Sequence, residues 1–309
     1  MVASGAEEPN GLVGLGEANS FEPNARATTT ELFDGLVSCS QNHWPSLEFD
    51  IGYVNNYLSS LLPAGFYYKT FIHPRPAWKY IFEPIIRRSA GLGKPTKGKD
   101  PDKYEHFYAY VDVLIVGGGI SGLYSAKVAA KSGARVLLIE QTPHLGGQAS
   151  IDNPLIDQGS IAKWITELTK ELEGMNNVTI KARTVGVGVY DHGYSLAYER
   201  LTDHELNLNG SRHRLWKIRA KQIITATGAI ERPLSFANND VPGVMLASAV
   251  RNYLTNYGVS IGDRTVIVTN NDDAYRTAIS LKNAGLSVPL IIDTRPNGAG
   301  ELALSLIHI

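Results

Sequence analysis

The chain has 309 residues, 43% hydrophobic and 19% charged, the balance of a folded chain large enough for about two domains. Its 29 basic and 30 acidic residues leave a formal charge of −1, so no overall field draws nucleic acid or an anionic membrane. Cys39 is the single cysteine, which rules out an internal disulfide, a cysteine-ligated iron–sulfur cluster and a CxxC redox pair.

Redox chemistry would then require a bound organic cofactor. The expected company is a small-molecule substrate and other protein subunits. No apolar run approaches the ~20 residues of a membrane span, and the start lacks a basic stretch followed by an apolar one, so a cytoplasmic placement is expected. No metal-ligating cluster and no nucleophile with a partnered base stands out, and no catalytic residue is assigned.

Residues 1–105 are rich in proline, glycine and aromatics and show few helical periodicities. They are expected to form an irregular, aromatic-rich N-terminal docking region whose Trp44, Phe49, Tyr53 and Tyr57 need a core or a partner subunit to pack on. Residues 91–104, with Lys94, Lys97, Lys99, Lys103, Pro95 and Pro101, read as a solvated linker.

From residue 106 the pattern turns α/β. Residues 111–116, apolar but for Asp112, form a run suited to a strand buried on both faces. A helix is expected at 122–132, closed by Gly133, and a strand at 135–140. Further on, the pattern suggests a helix at 161–173, strands at 178–189, 194–198, 214–221 and 222–227, and a turn at 207–211. A second βαβ unit follows, with a strand at 265–269, a helix at 274–284 stopped by Gly285, and a strand at 288–293. Residues 106–260 thus read as a first dinucleotide-binding lobe and 261–309 as the start of a second. A parallel sheet normally carries more strands than that second lobe supplies, so a piece of a longer chain is expected. Leu304 to Ile309 continue no periodicity and receive no functional weight.

Gly117-Gly118-Gly119-Ile120-Ser121-Gly122 satisfies GxGxxG, a weak pattern alone and a strong one between a buried strand and a helix. Gly117 permits the tight turn, Gly119 lets the backbone approach a pyrophosphate, and Gly122 allows close packing of helix on strand. The amides around Ile120 and Ser121 would face the phosphates. Glu140, eighteen residues beyond Gly122, sits where a carboxylate accepts ribose hydroxyls and disfavours a 2′-phosphate, so NAD or FAD is expected over NADP. Gly146 and Gly147 could carry a loop past the diphosphate, and Thr227-Gly228 closes a strand with small residues where backbone could meet ligand. The fold class is therefore α/β, a Rossmann-type two-lobed dinucleotide-binding domain of the FAD/NAD(P)-binding oxidoreductase kind. The second lobe's turn, Asn270-Asn271-Asp272-Asp273, has no glycine. Its aspartates would repel a pyrophosphate, and Asp272 is expected to cap the following helix, so this lobe reads as structural rather than as a second cofactor site.

Several stretches carry a resemblance to the α subunit of heterotetrameric sarcosine oxidase. They include Pro23-Asn24-Ala25-Arg26-Ala27-Thr28-Thr29-Thr30-Glu31-Leu32-Phe33-Asp34-Gly35-Leu36, Ser40-Gln41-Asn42-His43-Trp44-Pro45-Ser46-Leu47 and Pro63-Ala64-Gly65-Phe66-Tyr67-Tyr68-Lys69-Thr70-Phe71. Glu83-Pro84-Ile85-Ile86-Arg87-Arg88, Pro242-Gly243-Val244 and Thr269-Asn270-Asn271-Asp272 extend it. The resemblance implies a complex that oxidatively demethylates sarcosine to glycine, with hydrogen peroxide as product and tetrahydrofolate taking the one-carbon unit. It implies NAD in this subunit at Gly117, Gly119, Gly122 and Glu140, with FAD as the alternative occupant. It further implies a flavin (FMN or FAD) elsewhere in the complex, β, γ and δ subunits as partners, and a partly present ferredoxin-like N-terminal region. Tyr67, Lys69 and Thr70 are candidates for flavin or partner contacts. The rival readings are the α subunit of a related amine or opine dehydrogenase complex, a self-contained FAD-dependent pyridine nucleotide reductase, and a scaffold that the nucleotide merely stiffens.

Overall fold

The computed structural model describes residues 12–17, 20–27, 30–57, 71, 73–152, 155–156, 159–204, 210–239 and 243–296. They divide into two compact units, one within residues 7–102 and one made of 103–203 with 207–309.

The first unit contains a small antiparallel sheet of β1 (Leu12–Leu15), β2 (Glu22–Arg26) and β3 (Ser38–Ser40), in the order β2-β1-β3. After it come α1 (Arg75–Ala77), a π-helical turn at Trp78–Phe82 and α2 (Glu83–Ser89). An amide clasp holds the unit together. Asn24, at φ 64°, donates its N–H to Gln41 Oε1 (3.0 Å), and Gln41 Nε2 donates to Asn24 Oδ1 (3.2 Å) and to the Gly91 carbonyl (2.8 Å). Asn24 Oδ1 also accepts the Gly93 N–H (2.8 Å). The sheet escapes sequence reading because its strands span only three to five residues and are tied by side-chain amides rather than apolar alternation. Phe49, Tyr53 and Tyr57 are exposed, and Tyr67, Lys69 and Thr70 lie outside the described residues. Residues 92–103 carry neither helix nor strand.

The second unit begins with β4 (Tyr104–Val116), α3 (Ile120–Lys131), β5 (Val136–Ile139) and the single turn α4 (Ala149–Asp152). The short strands β6 (Leu155–Ile156) and β7 (Gly159–Ser160) precede α5 (Ile161–Glu173). Then come β8 (Val178–Lys181), β9 (Thr184–Tyr190), β10 (Tyr194–Arg200) and β11 (His213–Thr225). Six of these strands form one sheet in the order β8-β5-β4-β11-β10-β9. Strands β8, β5, β4 and β11 run parallel, while β10 and β9 add an antiparallel edge.

One sheet face is covered by α3 and α5 over Ile115, Val136 and Leu138, and the other buries Leu114, Leu137, Ile139, Ala197 and Ile218. All four residues of β5 are buried, the burial its unbroken Val-Leu-Leu-Ile run announces. β4 extends seven residues before the apolar run because Tyr104 to Tyr110 pair in register with His213 to Arg219 of β11. Both Asp112 and Val113 donate their N–H to the Arg135 carbonyl, a bulge that switches the alternation between the two halves of β4. That switch conceals the strand from a period-2 reading. The expected strand 178–189 is broken by Arg183 at φ 51°, which sends β8 into the parallel sheet and β9 into the antiparallel edge. The two strands expected at 214–227 are one, and most of the turn expected at 207–211 lies outside the described residues.

The second lobe has its own core. It takes in α6 (Ala247–Tyr257), which the boundary expected at residue 260 leaves in the first lobe, and comprises β12 (Arg264–Thr269), α7 (Asp273–Asn283) and β13 (Ser287–Asp293), with β12 and β13 parallel. Val250, Ile267, Ala274, Ala278 and Leu281 are buried together there. Sequence reading misses α6, although Gly258 at φ 62° closes it in the usual left-handed manner. Among the described residues no helix is long and apolar enough to cross a membrane.

Candidate dinucleotide site

The parallel strands β5 and β4 end side by side, and β11 ends on the other side of β4. The chain's connections diverge at β4, and in open α/β sheets ligands bind in the crevice at such a switch point.

The three fingerprint glycines meet three different requirements. Gly117 lies at φ 110°, and a Cβ there would run into the Ala226 carbonyl where β11 passes; its own N–H is held by the Ile139 carbonyl (2.8 Å). A Cβ at Gly122 would collide with the Gly117 carbonyl oxygen, so helix and turn can close only on a hydrogen. Gly119 differs from both. Its φ of −69° suits any residue and a Cβ there would meet nothing within 4 Å, so the open space in front of it faces outward. It is also the N-cap of α3, with no side-chain cap and no acidic residue in the first turn. The leading amides at Ile120, Ser121 and Gly122 therefore lack intrahelical acceptors, which is the arrangement that takes an anion.

Glu140 is 8% exposed, immediately after β5. Its Oε2 accepts the Gly118 N–H (2.6 Å), and its Oε1 accepts both the N–H and the hydroxyl of Thr142 (2.9 Å each). A carboxylate offers about four acceptor positions. Among the described residues three are used, leaving one on Oε2 beside the glycine turn for a ribose hydroxyl. Gly118 and Thr142, which fix this carboxylate, were not singled out from sequence. Their signals were the middle glycine of the triplet and a hydroxyl residue two positions after the acid.

Gly146 (φ 112°) donates its N–H to the Gly118 carbonyl (2.9 Å), and a bridge pairs Gly146 with Gly119. Gly147 (φ 53°) stands so close to Gly119 that a Cβ would lie 3.3 Å from its Cα. The loop thus runs directly against the phosphate turn. Thr227 and Gly228 follow Ala226, the residue that meets Gly117, and both are exposed at the same end of the sheet. The structure accordingly gathers all ten candidate residues at one strand-end crevice. It fits a dinucleotide: open backbone for the diphosphate, uncapped amides and a carboxylate with a spare acceptor.

The corresponding turn of the second lobe is built otherwise. Asp272 makes no side-chain cap, contrary to expectation; the Asp273 N–H is taken by Asn271 Oδ1 (2.9 Å) instead. The Asp272 carboxylate pairs with Arg295 (2.7 Å), which also binds Asp293 at the end of β13 (2.7 Å). Hydrogen bonds from Arg295 hold the Asp293 carboxyl well below the ordinary range, and the two aspartates in turn raise Arg295. Tyr275 donates to Asp293 (2.9 Å), and burial followed by that aspartate pushes its phenol up. The positions analogous to the phosphate turn and the ribose carboxylate are therefore joined to each other by a guanidinium.

Residues 112–228 match the model of the FAD dependent oxidoreductase family. The chain is 46% identical to sarcosine oxidase subunit alpha of Rhizobium meliloti over 96% of its own length and 30% of that relative's. It is 42% identical to the subunit of the same name from a Corynebacterium species over 67% of this chain and 22% of the relative. Among solved structures it is similar to L-proline dehydrogenase from P. horikoshii, at 26% identity over 67% of this chain and 40% of that one, with a TM-score of 0.49. The chain thus spans about a third or less of the length of the curated relatives it matches. It has the Rossmann-like α/β fold of FAD/NAD(P)-binding oxidoreductases, and along nearly its whole length it is similar to a stretch of no more than a third of a sarcosine oxidase α subunit's length.

Proposed function

We propose that this chain is the dinucleotide-binding part of the α subunit of a sarcosine oxidase complex, and that its first lobe holds NAD. The carrying observation is the crevice where Gly119 faces open space beside the uncapped α3 amides, with Glu140 keeping one acceptor free. In this reading Gly117, Gly119, Ile120, Ser121 and Gly122 cradle the diphosphate and Glu140 takes the adenosine ribose. Gly146, Gly147, Thr227 and Gly228 line the approach. The dinucleotide supplies hydride-accepting capacity when bound. The residues here bind, orient and partly shield it; none is placed as an acid, base or nucleophile.

The rest of the complex acts on the amine. Oxidative demethylation of sarcosine to glycine at a flavin, release of hydrogen peroxide and transfer of the one-carbon unit to tetrahydrofolate belong to other parts of the assembly, reached through β, γ and δ partners in the cytoplasm. The 46% identity along 96% of this chain supports the assignment.

A second reading has its own support: the family model that spans this site is that of FAD dependent oxidoreductases, which favours FAD in the same crevice. The test is to co-express the full-length gene with its neighbours, purify the assembly and identify the nucleotides released on denaturation by mass and absorbance. NAD assigned to this subunit, lost in Gly119→Val, supports the first reading. FAD lost in the same variant establishes the second, and no nucleotide sensitive to Gly119→Val would sink both.

A further inference from the structure

We propose that Asp152 and Arg251 form a positioning latch for the dinucleotide, through which the second lobe pins the Gly146–Gly147 loop against the phosphate turn. The proposal rests on the dinucleotide reading of the first lobe and extends it to residues that touch no ligand.

Arg251, on α6, has a side chain only 1% exposed. Its Nη2 reaches Asp152 Oδ1 (2.9 Å) and Asp273 Oδ2 (3.0 Å), and its Nη1 donates to Thr277 Oγ1 (3.0 Å) and the Asp273 carbonyl (3.1 Å). Burying a guanidinium is costly unless it is paired and hydrogen-bonded. Asp273 and Thr277 meet much of that need from within the second lobe. Asp152 does not belong to that lobe, and it draws a second arginine as well, Arg276 of α7 (3.3 Å). Two cations of the second lobe thus converge on one carboxylate of the first.

Asp152 is joined stiffly to the phosphate loop. The Gly147 carbonyl accepts the Ser150 N–H (3.2 Å), the Gln148 carbonyl accepts the N–H groups of Ile151 and Asp152, and Gln148 Nε2 donates to Asp152 Oδ1 (3.2 Å). At the other end Gly146 is hydrogen-bonded to Gly118. Gly146 and Gly147 both occupy left-handed backbone regions, where glycine keeps many alternatives, so the loop needs an anchor to stay in one of them. Pulling at Asp152 supplies it. The consequence is a loop already in place when the diphosphate arrives, which lowers the ordering cost of binding.

The network allows a paired test, because Asp152 and Asp273 contact the same guanidinium nitrogen from opposite lobes. Asp152→Asn and Asp273→Asn each remove one charge from Arg251, but only the first releases the loop. Both would be made in the full-length protein and titrated with NAD and with FAD, alongside melting temperatures and hydrogen exchange of residues 144–152 without nucleotide. Asp152→Asn is expected to weaken dinucleotide binding about tenfold, within the span known for residues that couple sites at a distance, and to speed exchange in the loop. Asp273→Asn should lower the melting temperature while leaving affinity within about twofold. Equal effects on affinity from both variants, or none from Asp152→Asn, would overturn the latch while leaving the cofactor reading intact. A wild-type protein that binds neither nucleotide would instead take down the cofactor reading, and the latch with it.

Discussion

The second and third glycines of the fingerprint look alike in sequence and differ in what a methyl group would meet, and that difference separates folding from binding. At Gly122 the added carbon faces the Gly117 carbonyl, so Gly122→Ala must move backbone; overpacking of this kind costs roughly 1–3 kcal/mol. At Gly119 the same carbon enters open space from an ordinary backbone conformation. Gly119→Ala should leave the melting temperature near wild type and weaken dinucleotide binding by about tenfold, near 1.4 kcal/mol, because the methyl occupies the diphosphate's approach. Thermal melts and nucleotide titrations of both variants check this. A Gly119→Ala protein with unchanged affinity would mean that the open space in front of α3 is not where a phosphate sits. The GxGxxG spacing conveys that three glycines matter, but only the folded chain shows which contact each one avoids.

At the scale of elements, the parts legible in the sequence were those whose burial is symmetric along their length. Helix α5 and strand β5 appear within a residue or so of their expected bounds, because an apolar stripe or an unbroken apolar run maps directly onto burial. Strand β4 did not, since the bulge at Asp112 flips its alternation, nor did the division at Arg183, a residue with no special standing in a propensity table. Elements joined by side-chain hydrogen bonds were equally hidden. Asn177 donates from Nδ2 to the carbonyls of Ala130 (2.9 Å) and Ala134 (2.8 Å), tying the end of α3 to the start of β8. Asn177→Ala leaves the Ala134 carbonyl short of this partner and should destabilise the unit by about 1–2 kcal/mol in urea unfolding, with dinucleotide affinity unchanged. The site itself was readable as glycines and an acid, whereas Thr142, Asp152 and Arg251 emerge only when separate elements are brought together.

The second lobe's turn adds an acid-sensitive element. Asp293 is held below the ordinary carboxylate range by Arg295, so the unfolded chain takes up its proton first, near pH ~4, while the native carboxylate stays ionised. The contribution of this pair is therefore fully present at neutral pH and is lost progressively as pH falls below about 4. Arg295→Gln should cost stability at pH 7 and cost less at pH 3, measured as unfolding midpoints in urea at both values. A stability gap that is equal at the two pH values would show that Arg295 acts there through packing rather than charge.

At the scale of the whole molecule, a ligand that binds only the native protein adds stability in proportion to its saturation, about 2.7 kcal/mol at a hundred times Kd. Where that energy appears depends on which elements the site engages. The crevice is made by the ends of β4, β5 and β11, and the loop that closes on it ends at Asp152, held by Arg251 of α6. Amide exchange with saturating dinucleotide should therefore slow in β4, α3, β5 and residues 144–152, and also in α6, which touches no part of the crevice directly in this scheme. β13 should change least, since its acid end is already neutralised by Arg295. Protection that stops at residue 152 would mean that the two lobes share a salt bridge without sharing binding energy. Protection that reaches α6 in the wild type and disappears in Asp152→Asn would show the ion pair carrying the ligand's free energy from one core of this unit into the other.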